Sequence, residues 1–151
     1  MARRVASPMM ALTGAIFFFA FVFQDIRIHP EIPAGELPWG LIIRYAVAMT
    51  LGGAVAGYLM AGLFGRSGIG GWILSFLAGT LATLLLGLVG SAFGLIPDLA
   101  DQGLTSGELV QITLGALVVP LSLIEQPYLI LVLLVLFGAT HELCVISKRN
   151  S

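Results

Sequence analysis

Two charged residues interrupt apolar stretches of this sequence and are its first candidates for chemistry. Arg44 lies about one and a half turns into an apolar run that begins at Trp39, and Glu125 interrupts a later one. A cation in a bilayer is costly unless it snorkels to the interface or meets a carboxylate. We therefore predict an intramembrane pair between Arg44 and Glu125 that acts as a packing clasp. An ion or proton pathway and simple snorkelling of Arg44 are the alternatives.

The remaining polar candidates do not form a catalytic or ligand-binding constellation. His141 and Glu142 are adjacent, so on a helix they point about 100° apart and cannot share a ligand. Ser67 lies in a G-x-S-G sequence, a pattern found around nucleophilic serines, but in a short connection between apolar runs. The second histidine, His29, lies in a loop, which disfavours a bis-histidine haem site. We predict that the protein is not an enzyme and has no catalytic, cofactor-binding or metal-binding residues.

The composition is that of an integral membrane protein. Of 151 residues, 58% are hydrophobic and 10% are charged, whereas roughly a quarter of the residues in soluble domains are charged. The mean hydropathy is +1.04. A net charge of −1 gives no basic surface for nucleic acid. The expected surroundings are a lipid bilayer and other membrane-protein subunits, or further copies of the chain.

The apolar runs predict an all-α fold with four transmembrane helices in a single domain over 1–151. The predicted spans are 5–23, 39–64, 72–96 and 127–146. Trp39 and Trp72 open the second and third spans, at positions suited to the headgroup level. The first run follows Arg3 and Arg4 like a signal peptide, but phenylalanines occupy the place of a cleavage site, so we expect an uncleaved helix.

The last third of the chain leaves the number of crossings open between four and five. Its apolar stretch 109–146 is broken near Pro120 and Pro127. Four crossings would put Arg66 and the basic residues at both ends of the sequence on the cytoplasmic side. We therefore favour four crossings, with a short re-entrant or interfacial helix over 108–119 begun by a Thr105–Glu108 capping box. The expected location is a bacterial inner membrane, with both termini cytoplasmic.

Small residues recur at every fourth position on the second and third spans, where they would let helix backbones approach closely. Because the connection between these spans is short, we predict a tight glycine-rich hairpin of helices 2 and 3. A second row on the second span consists of Ala48, Gly52 and Ala56. The main helix-packing positions are Gly53, Gly57 and Ala61 on the second span and Gly71, Ser75, Gly79, Thr83, Gly87 and Ser91 on the third.

These features favour a non-catalytic small subunit or accessory protein that packs within a larger membrane complex. The alternative is a small transporter or channel component that works as an oligomer or with a larger permease. Arg44, Glu125, Gln126 and the predicted re-entrant segment support this alternative, since irregular backbone at membrane depth must lie in protein or line a cavity.

Overall fold

The described part of the chain is helical throughout. The computed structural model describes residues 2–28, 34–103 and 105–149. They form seven α-helices and one 3₁₀ turn, at Ala34–Glu36. The helices are α1 (Ala2–Ile28), α2 (Trp39–Met60), α3 (Gly68–Gly94), α4 (Ile96–Gln102), α5 (Ser106–Gly115), α6 (Val118–Glu125) and α7 (Leu129–Arg149).

Four of these helices, α1, α2, α3 and α7, are long and apolar enough to cross a membrane. The chain is therefore a multi-pass membrane protein by length and composition. Helices α5 and α6 together are also apolar enough, but they are bent by 51° at the break between them. The number of candidate spans is four, or five if this bent pair counts as one.

The bent pair replaces the single short helix expected over 108–119. Helix α5 begins as predicted, since Thr105 and Glu108 form a capping box. It ends at Gly115, and α6 starts at Val118 after two intervening residues, with Pro120 in its first turn. Proline is tolerated there because the first-turn N–H groups have no partner within their own helix. The position of Pro120 therefore explains why the chain begins a new helix.

Contacts at both ends of α7 show that it runs antiparallel to α1. The Gln126 side chain, just before α7, donates to the carbonyl of Ala20 near the end of α1. At its other end, the Cys144 thiol lies 3.7 Å from the carbonyl oxygen of Ala2. Lys148 Nζ donates to the carbonyl of Phe64, which follows α2, over 2.7 Å. We call the end with Ala2 and Lys148 the terminal end, and the end with Ala20 and Gln126 the loop end.

Helix α2 lies between α1 and α3 and uses two rows of small residues to contact them. A Cβ at Gly53 would lie 2.2 Å from the carbonyl oxygen of Met10 in α1, so the two backbones touch. Gly57 contacts Ala6 of α1 in the same way, and Ala61 is buried. Gly52, in the adjacent row, lies against the backbone of Gly90 in α3.

The predicted row of small residues on α3, every fourth residue from Gly71 to Ser91, chiefly contacts α7 and α5. Gly79 lies against the ring of Phe137 in α7, and Gly87 lies against the carbonyl of Gly115 at the end of α5. The residues of α3 that meet α2 lie beside this row, at Leu86, Gly90 and Gly94. The other members of the row are buried: Gly71 against the Arg66 backbone, Ser75 and Thr83 inside the bundle, and Ser91 against Gly115.

Candidate functional site

A cluster of polar side chains joins α1 to the connection between α6 and α7 at the loop end. Gln24 of α1 donates from Nε2 to Glu125 Oε2 over 3.0 Å. Gln126 donates from its amide to the Gln24 side-chain oxygen and, over 3.3 Å, to the carbonyl of Ala20. Tyr128 donates its hydroxyl hydrogen to the Gln126 side-chain oxygen. The result is a chain of hydrogen bonds that runs from Tyr128 to the Glu125 carboxylate.

Local backbone chemistry puts these residues together. Gln126 ends α6 with φ −131° and ψ 78°, outside the helical region, and its N–H bonds the carbonyl of Ser122. The following residue, Pro127, disfavours helical conformation at Gln126. The chain therefore turns at Gln126, and α7 starts at Leu129 beside the last turns of α1.

The cluster borders a cavity of about 490 Å³ that carries both signs of charge. Glu125 and Arg27 both line it, and these two residues form no ion pair with each other. Phe23 and Tyr128, also in the lining, are 63% and 61% exposed. The site can therefore offer a carboxylate, a guanidinium and two aromatic rings to one bound molecule. We call it the loop-end cavity.

The contacts described for Arg44 and Glu125 are with other residues, Tyr45 and Gln24. The guanidinium carbon of Arg44 lies 5.3 Å from the centroid of the Tyr45 ring. The carboxylate of Glu125 is bonded to Gln24 instead. Since Arg44 makes a further interaction, its pairing with Glu125 stays a prediction.

A second recess, of about 440 Å³, lies on the other side of the end of α1 and is mainly apolar. Phe18, Phe21 and Val22 of α1, with Tyr45 and Met49 of α2, form much of its wall. Its few polar groups include the Tyr45 hydroxyl, which accepts a 3.4 Å hydrogen bond from Gln111. Its lining suits an apolar group at the same end of the bundle as the loop-end cavity.

A buried histidine lies between α3 and α7, towards the terminal end. His141 is 2% exposed, and its Nδ1 lies 2.6 Å from the hydroxyl oxygen of Ser75. The Trp72 ring packs against the imidazole with a centroid distance of 4.3 Å. Because Ser75 is also buried, we interpret this cluster as a polar packing contact between the two helices. Glu142 and Ser67, the other polar candidates, are exposed.

Sequence reasoning missed Gln24 and Arg27 as members of a site because the first span was expected to end at residue 23. Helix α1 instead continues to Ile28, which brings both side chains to the cavity. Their spacing from Ala20 and Phe23 could have indicated this, because residues 20, 23, 24 and 27 lie on one face of a helix. His29 lies outside the described residues.

Comparison with known proteins yields no relative: no protein family, curated protein or solved structure matches this chain. Within residues 2–28, 34–103 and 105–149, no group of three or more His, Cys, Asp or Glu side chains could hold a metal ion.

Proposed function

We propose that this protein is a non-catalytic subunit or accessory protein that packs within a larger complex of a bacterial inner membrane. The observation that carries the proposal is the exposed apolar side of the bent pair. It is formed by six side chains that are 45–75% exposed. We call this surface the α5–α6 flank: Leu109, Val110, Leu114, Leu117, Leu121 and Ile124.

The depth of the bent pair is the first support for a protein partner. Gly115 contacts Gly87, which lies seven residues before the end of α3 and so roughly 10 Å from it along the helix. Glu125, at the end of α6, is bonded to Gln24 near the loop end. A re-entrant path that enters and leaves at the loop end accounts for both contacts.

The broken backbone is the second support. Pro120 has no N–H, so the carbonyl of Ala116 cannot receive the hydrogen bond that an α-helix would give it. Leu117, beside the break, is 45% exposed. Irregular backbone at membrane depth is tolerated where protein covers it or where it lines a cavity, because lipid tails offer no hydrogen bonds. A partner subunit over the flank would supply that cover.

The shape of the flank is a third support. Leu109, Val110, Thr113 and Leu114 surround a shallow recess of about 230 Å³. A bulky apolar side chain of a partner helix would fit such a recess, whereas a surface that meets only lipid has no need of one. The glycines of α2 and α3 described above contact other helices of the same chain. The flank is therefore the favoured surface for a partner.

The proposed orientation follows the distribution of charge. Arg3 contacts Tyr58 near the terminal end, and Lys148 and Arg66 lie at the same end beside the α2–α3 connection. Positively charged residues accumulate on the cytoplasmic side of membrane proteins. We therefore put the terminal end, with both chain termini, in the cytoplasm. Reporter fusions at the C terminus test this orientation: activity of a cytoplasm-dependent fluorescent protein is expected, and activity of a periplasm-dependent phosphatase would contradict it.

Extraction in a mild detergent tests the proposed function. The tagged protein is purified from its native membrane, sized by native electrophoresis and analysed by mass spectrometry for co-purifying chains. We expect an assembly of fixed stoichiometry that an Ile124→Asn substitution on the flank disrupts. The matched control is Val135→Asn on α7, where the side chain is 69% exposed. A protein that migrates alone, or an assembly that both variants affect equally, would contradict the proposal.

The alternative proposal, a component of a transporter or channel, is favoured by the loop-end cavity. Glu125 and the glutamine amides there lie beside the break between α6 and α7. If the cavity is part of a transport path, Glu125→Gln should alter the flux of the transported solute across liposomes that contain the protein, without unfolding it. Unchanged flux through an intact Glu125→Gln variant would eliminate this alternative.

A further inference from the structure

We propose that the loop-end cavity binds the headgroup of a phosphatidylethanolamine molecule. The carboxylate of Glu125 would accept hydrogen bonds from the ammonium group, and the guanidinium of Arg27 would bind the phosphate. The proposal depends on three properties of the cavity: its two opposite charges, its position at the end of the bundle and its aromatic rim.

The Glu125 carboxylate is oriented but retains acceptor capacity. Gln24 bonds its Oε2 atom, and an ionised carboxylate has about four lone-pair sites, so further acceptor sites remain. Gln24 is itself held by Gln126, which is also bonded to Tyr128 and Ala20. This hydrogen-bonded chain fixes the side of the cavity on which an ammonium group would bind.

Arg27 supplies the complementary charge from the same helix as Gln24. The two residues are three positions apart, so their side chains lie on one face of α1. A guanidinium binds phosphate through two parallel N–H donors, which makes arginine well suited to a phosphodiester. Because Arg27 and Glu125 line one cavity without an ion pair between them, a molecule with both charges can bridge them.

The position of the cavity favours a lipid as the source of this zwitterion. It lies at the loop end, where α1 ends and α7 begins, the level at which a spanning helix meets the headgroups. Phe23 and Tyr128 flank it, and aromatic rings are enriched at that level. Phe19 continues the Phe23 surface one turn deeper, with a ring separation of 6.4 Å, and can contact an acyl chain. A volume of about 490 Å³ is in the range of small-molecule sites.

Native mass spectrometry of the full chain with defined lipids tests the proposal. The protein is delipidated and incubated separately with phosphatidylethanolamine, phosphatidylcholine and phosphatidylglycerol of identical acyl chains. We expect phosphatidylethanolamine to bind at least tenfold more tightly than the other two. The quaternary ammonium of phosphatidylcholine cannot donate a hydrogen bond to Glu125, and phosphatidylglycerol has no cation.

Substitutions locate the binding. Glu125→Gln and Arg27→Gln should each weaken binding of phosphatidylethanolamine about tenfold, while Arg4→Gln and Glu142→Gln, which change exposed charges elsewhere, leave it unchanged. Circular-dichroism melts establish that all four variants are folded. If Glu125→Gln does not fold, Glu125→Asp and Arg27→Gln carry the test. Equal binding of the three lipids, or equal effects of the site and control variants, would overturn the proposal.

A competition experiment distinguishes a lipid from a soluble zwitterion. Free phosphoethanolamine is added at a large excess over bound phosphatidylethanolamine. We expect little displacement, because the soluble compound lacks the acyl chains that contact Phe19 and Phe23. Complete displacement at that excess would overturn the lipid assignment.

Discussion

Gly87 of α3 and Gly115 of α5 meet backbone to backbone: a Cβ on Gly87 would lie 2.1 Å from the carbonyl oxygen of Gly115. Side chains of ordinary size cannot be accommodated at this distance. The contact holds the end of α5 against α3 and thereby determines where the bent pair sits. It is thus the structural basis of the proposed partner surface.

Substitution of Gly87 should displace the bent pair. We expect Gly87→Val to lower the thermal midpoint in detergent and to increase labelling of a cysteine introduced at Ala116, because α5 must move away from α3. The matched control is Gly70→Val on the same helix, where a Cβ would meet nothing within 4 Å. Equal stability and labelling of the two variants would show that the glycine contact does not position α5.

The bond between Ser75 and His141 should contribute to the stability of the α3–α7 contact. Removal of one partner of a buried hydrogen bond costs about 1–3 kcal/mol, and Ser75→Ala should cost that much. A double-mutant cycle with His141→Phe measures the coupling. Thr80→Ala is the control, since the exposed Thr80 hydroxyl bonds the Phe76 carbonyl within its own helix. Strictly additive effects of Ser75→Ala and His141→Phe would contradict the predicted coupling.

Lys148 should stabilise the terminal end by capping the segment after α2. Its Nζ atom donates to the carbonyls of Phe64 and Gly65 over 2.7 and 3.2 Å. Hydrogen bonds from charged groups contribute about 1.5–3 kcal/mol, so Lys148→Met should lower the free energy of unfolding by an amount of that order. Arg149→Met controls for the loss of a basic residue. A variant as stable as that control would mean that the two bonds make no net contribution.

Glu125 should couple energetically to Gln24, whose side chain bonds its carboxylate. We expect the double-mutant cycle of Gln24→Leu with Glu125→Leu to give a coupling near 1 kcal/mol, typical of groups within one hydrogen-bond network. Strictly additive effects of these two substitutions would contradict the predicted coupling. The cycle of Arg44→Leu with Glu125→Leu tests the predicted clasp in the same way, since coupling would support the clasp and additive effects would contradict it.

Composition and apolar run length were sufficient to predict the four long apolar helices that are candidate membrane spans. A stretch such as that beginning at Trp39 must become a helix in a bilayer, because only internal hydrogen bonds satisfy its backbone there. The capping box at Thr105 was likewise predictable, since it depends on two residues three positions apart. These features are local, and local chemistry decides them.

The partners of the polar residues were not predictable in the same way. Gln24 and Gln126 are separated by 102 positions, and Ser75 and His141 by 66. Their meeting depends on which helices are neighbours and how each is rotated about its axis. The rows of small residues limited the possible rotations of each helix but did not determine which neighbour each row contacts. On α3, Gly79 and Gly87 contact α7 and α5, whereas Gly90 contacts α2.

Site-specific photo-cross-linking tests the central proposal, a partner subunit on the α5–α6 flank, most directly. A photoreactive phenylalanine derivative is introduced at Ile124, which is 75% exposed, and separately at Leu131 of α7, which is 67% exposed. In native membranes we predict one discrete protein adduct from position 124 and none from position 131. Lipid adducts alone at both positions, or the same protein adduct from both, would contradict the account.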